Sequence, residues 1–235
     1  MNAEISVVIL CYRAGERIRD FVDRTIKLID RSVPSWEMVL VGNYLENSGD
    51  VTPEIVKDIA LKNNNIKIVA MPKEGMMGWD ARSGLEKAQA KYICLIDGDE
   101  QMPPEDILRV YKKIKEEDLD LVKTYRVVRH DGVARRFISS SYNLIFNLFF
   151  PGTYVRDVNS KPKIFKKESY DKMRLGSDDW FLDAEIIIQA KKLKFRIGEV
   201  PTEFYKNPYR KSFVKFDTIF EFIKNLVITR FKGAS

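Results

Sequence analysis

The stretch Ile5-Ser-Val-Val-Ile-Leu-Cys11 constrains the fold more than any other part of this chain. It is apolar and β-branched without polar alternation, so a strand here must be covered on both faces. Residues 16–30 follow with Ile18, Phe21, Val22, Ile26 and Ile29 at helical spacing, the apolar stripe of an amphipathic helix. The pairing then recurs. Strands are predicted at 38–41, 66–70, 92–96 and 119–128, alternating with helices at 53–62, 79–90 and 103–115. Thr52 reads as the N-cap of the second helix, with Pro53 at its first position. Alternation of this kind predicts an α/β fold, a mostly parallel sheet flanked by helices. Such sheets bind ligands beyond the carboxyl ends of their strands.

The rhythm changes after residue 130. Helices are predicted at 137–150, 180–193 and 213–231, the last with Phe216, Ile219, Phe220, Ile223, Leu226 and Val227 on one stripe. The chain has no internal repeat or Gly/Ser linker. The simplest organisation is one domain over residues 1–207 and an amphipathic helical extension over 208–235. That extension packs on the domain or on a membrane surface.

Charge divides the chain. Residues 1–120 carry 17 Lys and Arg against 22 Asp and Glu, or −5, and residues 121–235 carry 23 against 12, or +11. The second half therefore suits an anionic partner: phosphate, nucleic acid or lipid headgroups. No run of about 18 apolar residues argues for a transmembrane helix, and the start of the chain lacks a signal-peptide layout. Cys11 and Cys94 sit inside apolar runs without zinc-ligand spacing, which points to a reducing, cytoplasmic setting. Lys211, Lys215, Lys224, Arg230 and Lys232 rim the C-terminal stripe. A basic rim around an apolar stripe favours a peripheral position on the cytoplasmic membrane face, with homo-oligomerisation through the same surface as the other reading.

The chemistry concentrates after the strand at 92–96, which runs into Asp97-Gly-Asp-Glu-Gln101 and Pro103-Pro104. Gly98 lets the backbone turn so that Asp97 and Asp99 face one point, with the Gln101 amide nearby. Two carboxylates and an amide oxygen suit Mg²⁺ or Mn²⁺, which sit on one or two carboxylates plus substrate phosphates. The competing reading is an acidic turn ahead of a helix N-terminus. The preceding strand and the Gln favour the metal.

The order of motifs resembles the family 2 glycosyltransferases of the GT-A (Rossmann-like) fold, and within them the polyprenyl-phosphate, dolichol-phosphate mannose synthase-like sugar transferases. Ser6-Val-Val-Ile-Leu-Cys-Tyr12 is similar to that family's first strand. Lys73-Glu-Gly75 through Gly78, Arg82 and Gly84 resembles its glycine-containing helix start, and Asp97-Gly-Asp-Glu-Gln101 its Asp-x-Asp-x-Gln metal motif. Arg126 stands where the family places a basic acceptor residue. Arg135-Arg-Phe-Ile-Ser139 with Asn143 resembles Arg-Arg-x-x-Ser-x-x-x-Asn, and Asp157-Val-Asn-Ser-Lys161 resembles Asp-Pro-Thr-Ser-Gly. Phe181-Leu-Asp-Ala-Glu185 and Glu199-Val-Pro201 match the closing helix and strand.

The resemblance implies a metal-dependent, inverting transfer from a nucleotide sugar to a polyprenyl phosphate. Asp97, Asp99 and Gln101 would be the metal ligands. Tyr12, Arg13, Asn43, Gly75, Arg82, Asp97 and Gly98 would be the donor site, and Arg126, Arg135, Ser139, Asp157, Ser160 and Lys161 the acceptor site. Asp99, Asp179 and Asp183 are the candidate catalytic residues, the last two as a base if the acceptor is a glycan hydroxyl. An anionic phosphate acceptor needs no base. Leu10-Cys-Tyr-Arg-Ala14 and Val41-Gly42-Asn43 depart from the family's Pro-Thr-Tyr-Asn-Glu and Asp-Asp, so the resemblance leaves the nucleotide base open.

Other residues carry weaker signals. Arg129 and Arg136 extend the arginine group, Asp178 reads as a helix cap, and residues 161–167 are either a closing loop over a diphosphate or a basic surface strand. His130 has no assigned role. A basic nucleic-acid-binding module without turnover is the third reading; nothing resembling a nucleic-acid motif accompanies the charge, so nucleic acid is not an expected partner.

Overall fold

The computed structural model describes residues 3–130, 132–152, 155–207 and 224–229, without the side chains of residues 133–135. The elements follow in the order β1 (Ile5–Leu10), α1 (Arg17–Asp30), β2 (Trp36–Val41), α2 (Thr52–Leu61), β3 (Ile66–Val69), α3 (Met77–Leu85), β4 (Tyr92–Asp97), α4 (Glu105–Glu116), β5 (Leu121–Arg129), α5 (Val133–Phe149), β6 (Lys163–Lys166), α6 (Lys167–Tyr170), α7 (Leu182–Lys192) and β7 (Ile197–Phe204). They build a seven-stranded sheet in the order β3-β2-β1-β4-β6-β5-β7. β6 pairs antiparallel with both neighbours, and the other pairings are parallel.

The continuous apolar run of β1 has its explanation in the two cores. Val7 and Ile9 face a cluster with α1, α2 and α4, including Phe21, Val56 and Ile107. Val8 and Leu10 face the other, with α3, α5 and α7, including Leu85, Phe146 and Ile187. Alternate side chains point to opposite faces, so a strand between two helical layers must be apolar throughout. Each such side chain, fully buried, is worth about 1.5–3 kcal/mol. Cys11 and Cys94 are free thiols buried in the first cluster.

After β1 the chain moves outward to β2 and β3, then crosses back to β4 on the other side of β1. α1 and α4, which follow these two strands, pack in the same helical layer. The loops that lead into them meet at the carboxyl ends of β1 and β4, the crevice where sheets of this kind bind ligands. Leu10 and Asp97 are register partners at that edge.

Several expectations change. Thr52 is not the N-cap of α2 but lies inside it: its hydroxyl donates to Asp50 Oδ1 (2.5 Å) and accepts from the Gly15 N–H (3.0 Å), tying α2 to the loop after β1. The helix expected over 79–90 ends at Leu85. Residues 163–166 are not a basic surface strand. They form β6, between β4 and β5, with Lys163 fully buried. Of the expected C-terminal helix, 208–223 and 230–235 lie outside the described residues, with Phe216, Ile219, Phe220, Ile223, Lys211, Lys215, Arg230 and Lys232. Residues 224–229 are helical, with Leu226 buried in the second core and Val227 and Lys224 exposed.

Candidate active site

Asp97 ends β4 and the crevice lies beyond it. The Gly98 N–H donates to the Leu10 carbonyl (2.9 Å), turning the chain sharply at the edge of β1. A side chain at Gly98 would stand 2.7 Å from Ile18 Cδ1 and 3.1 Å from the Leu10 carbonyl oxygen, so the turn requires glycine. Asp99 Oδ1 accepts the Gln101 N–H at 3.1 Å. The Gln101 amide nitrogen donates to the Tyr205 carbonyl (3.0 Å), so the amide oxygen is the atom that would face an ion. Asn207 Nδ2 reaches the Asp99 carbonyl at 3.2 Å. The chain just after β7 thus braces the acidic turn.

The donor set fits a hard divalent ion. Asp97 and Asp99 supply carboxylates and Gln101 an amide oxygen, and the Asp97 side chain is 34% exposed at the crevice. No cluster of three or more His, Cys, Asp or Glu that could hold a metal exists among the described residues. A site with so few protein ligands suits Mg²⁺ or Mn²⁺ completed by substrate phosphate rather than an all-protein cage.

The residues expected to hold the donor fall into two groups. Tyr12 and Arg13 stand at the crevice, with Arg13 at φ 54° and its guanidinium 5.5 Å from the Tyr12 ring centroid. Arg13 also lines a cleft of about 350 Å³ with Gly15, Arg17, Ser48 and Asp50. The others are turned toward protein. Asn43 is fully buried; its Nδ2 donates to Asp80 Oδ1 (3.0 Å) and Ser83 Oγ (3.2 Å), and its Oδ1 accepts the Met71 N–H (3.1 Å). Arg82 is tied to Asp178 Oδ1 (2.5 Å) and the Gly176 carbonyl (3.1 Å). Gly75 has Asp178 Cβ 3.0 Å from where its own Cβ would be, and Gly78 has the Ser177 carbonyl at 2.5 Å. These glycines admit the 177–179 backbone, whose carbonyls take the first N–H groups of α3. Asp178 therefore anchors Arg82 rather than serving only as a helix cap.

Sequence reasoning missed the ion pair between Lys73 and Asp80 beside Asn43. Both side chains are 5% exposed, and the Lys73 ammonium lies 4.4 Å from the Tyr12 ring centroid. Burial pushes the Asp80 carboxyl up, and Lys73 and Asn43 offset only part of that.

On the other side of β4, Arg126 and Asp157 form a fork-to-fork pair. Nε meets Oδ2 at 2.6 Å and Nη2 meets Oδ1 at 2.7 Å, with side chains 10% and 7% exposed. Burial raises the Asp157 carboxyl, but the Arg126 charge and hydrogen bonds hold it well below the usual carboxylate range. Arg126 Nη2 lies 3.5 Å from Ser139 Oγ on α5. Asn143 Oδ1 accepts the Val158 N–H (3.0 Å), fastening α5 to the 155–160 loop. Ser160 is buried and shares a 2.7 Å hydrogen bond with Thr124 Oγ1, so it braces β5. The Arg135 side chain lies outside the described residues.

Lys161 stands apart from this acceptor group. Its ammonium is 3.0 Å from Asp183 Oδ2 and 3.5 Å from Asp97 Oδ2. Asp183 Oδ1 is held by Lys163 at 2.5 Å. Burial raises Asp183, yet the two lysines outweigh it and hold the carboxyl low. A buried, doubly paired carboxylate with a lowered pKa is a poor proton acceptor, and this pairing ties Asp183 to β6 and to Lys161. Burial brings Lys163 down to about 8 despite that pairing. Asp179 accepts from the Phe181 N–H (2.8 Å) and Asn225 Nδ2 (2.7 Å), which makes it a tether for the 224–229 segment. The lysines were legible only as basic residues; a lysine inside an apolar strand, as in Leu121-Val-Lys123 and Lys163-Ile-Phe165, is the signal of a buried acidic partner.

Known proteins are similar to this chain in sequence and in fold. Residues 6–182 match Glycosyl transferase family 2. The chain is 24% identical over 249 residues to the dolichyl-phosphate beta-glucosyltransferase of Dictyostelium discoideum, covering 98% of this chain and 75% of that one. It is 23% identical over 211 residues to glycosyltransferase AglD of Haloferax volcanii, covering 86% of this chain but only 33% of that protein. Its fold is similar to the crystal structure of glucosyl-3-phosphoglycerate synthase from Mycobacterium tuberculosis with Mn²⁺, uridine diphosphate and glucosyl-3-phosphoglycerate, with a TM-score of 0.72 at 15% identity over 97% of this chain and 80% of that one. On the match across most of its length, on a GT-A fold, the chain belongs to glycosyl transferase family 2 and is a nucleotide-sugar-dependent glycosyltransferase.

Proposed function

We propose that this enzyme transfers a sugar from a nucleotide-sugar donor to a polyprenyl phosphate, with inversion and with Mg²⁺ or Mn²⁺ held by Asp97, Asp99 and Gln101. The observation that carries the reading is the acidic turn at the carboxyl edge of β4, directly beside the end of β1. A bound divalent ion there would neutralise charge on the leaving diphosphate. Tyr12 and Arg13 would border the nucleoside. Asn43 and the Lys73–Asp80 pair would position that wall from behind rather than touch the donor.

The acceptor reading draws on the dolichyl-phosphate named for the Dictyostelium relative and on Arg126, Ser139 and Arg135. An acceptor phosphate oxygen attacks the anomeric carbon opposite the diphosphate; the new C–O bond forms as the old one breaks, and the nucleoside diphosphate leaves with the electron pair. The acceptor is already anionic, which agrees with Asp183 being engaged elsewhere. α5 leaves Phe137, Leu144 and Leu148 outward at 73%, 62% and 70% exposure. Spaced seven and four residues apart, they share one face, with Arg136 exposed nearby. An apolar face with basic neighbours suits an anionic lipid surface. No helix among the described residues is long and apolar enough to cross a membrane.

The test is incubation with UDP-glucose or GDP-mannose, Mn²⁺ and either polyprenyl phosphate or 3-phosphoglycerate, measuring labelled product. Transfer to the lipid is expected, falling by roughly 10²–10³-fold in Asp99→Ala, the range for loss of a charge-stabilising group. Transfer to the soluble acceptor alone would overturn the lipid reading.

A further inference from the structure

An ammonium group stands next to one of the proposed metal ligands. Lys161 Nζ lies 3.5 Å from Asp97 Oδ2 and 3.0 Å from Asp183 Oδ2, and the side chain is 4% exposed. Lys163 holds the other Asp183 oxygen, so Asp183 is shared between two lysines and neutralises neither alone. Asp97 supplies the balance of charge for Lys161.

We infer that Lys161 is a resident cation of the diphosphate site, sharing Asp97 while the site is empty and so weakening divalent-cation binding until a nucleoside diphosphate arrives. Like charges a few ångströms apart in a poorly screened position repel strongly. With Asp97 already paired to Lys161, an incoming ion meets a site whose carboxylate charge is partly offset before it arrives. Mg²⁺ and Mn²⁺ hold such sites weakly and rely on substrate phosphate. A diphosphate brings the missing negative charge and gives both cations a partner. Lys161 is thus a positioning residue that couples metal binding to donor binding.

The inference rests on the assignment of Asp97 and Asp99 as metal ligands, and the experiment separates the two. Free Mn²⁺ is titrated by electron paramagnetic resonance against the full chain, with and without saturating UDP or GDP. Mn²⁺ alone is expected to bind the wild type weakly and to tighten at least about tenfold with the diphosphate. Lys161→Met should bind Mn²⁺ alone about tenfold more tightly, with a smaller gain from the diphosphate. Asp183→Asn should move the other way, because Lys161 then leans on Asp97 more strongly. If Lys161→Met does not fold by circular dichroism, Lys161→Gln, which drops the charge but keeps a donor for Asp183 and leaves the Lys163–Asp183 pair intact, carries the same expectation. Equal Mn²⁺ affinity in the wild type and the Lys161 variant overturns the inference alone. Absence of Mn²⁺ binding throughout, with either diphosphate, overturns the metal assignment and the inference with it.

Discussion

Arg126 and Asp157 illustrate how a buried charge acts beyond its chemistry. The fork-to-fork geometry holds the arginine plane still beside Ser139. Removing one partner of a buried pair leaves the other uncompensated, so Asp157→Asn should lose about 3–5 kcal/mol of stability in urea unfolding at neutral pH. The contribution has a defined pH dependence. The folded carboxyl lies below its unfolded value of about 3.9, so the pair's stabilisation is complete above that pH and fades as pH falls through the folded pKa. The gap between wild type and Asp157→Asn should therefore be full at pH 7 and begin narrowing below about pH 4. A gap independent of pH would show that the loss comes from packing instead.

At the scale of elements, α3 depends on its contact with residues 177–179. Carbonyls of Asp178 and Asp179 accept the N–H groups of Met76, Gly78 and Trp79, supplying acceptors that a helix start otherwise lacks. Gly78 makes that approach possible. An alanine methyl there would meet the Ser177 and Asp179 carbonyl oxygens, which are backbone and cannot rotate away. Gly78→Ala should cost about 1–3 kcal/mol, the usual penalty for overpacking, read as a lowered melting temperature. β6 makes the complementary point. Its short Lys-Ile-Phe-Lys sequence is ambiguous taken alone, and its central place follows from pairing with both β4 and β5 and from Asp183 on α7 reaching Lys163.

At the scale of the whole molecule, α5 turns Ser139 toward Arg126 on one face and leaves Phe137, Leu144 and Leu148 exposed on another. Replacing Phe137, Leu144 and Leu148 together with Gln should weaken binding to anionic vesicles by at least about tenfold, each lost apolar side chain removing burial worth roughly 1.5–3 kcal/mol. The melting temperature should not fall, because none of the three is buried in the protein. Unchanged sedimentation with vesicles would remove α5 from the lipid reading. The sequence by itself determined the alternating layers, the two-sided burial of β1 and the place of the Asp97–Gln101 turn, because these rest on local periodicity and on one strand running into one loop. Only the tertiary structure decided that Asn43 faces inward, that Asp183 is paired with two lysines, and that Lys161 adjoins Asp97. Those outcomes depend on which distant charges meet: the sign of each is written in the chain, but the burial that sets its partner and its strength arises only when the sheet is assembled.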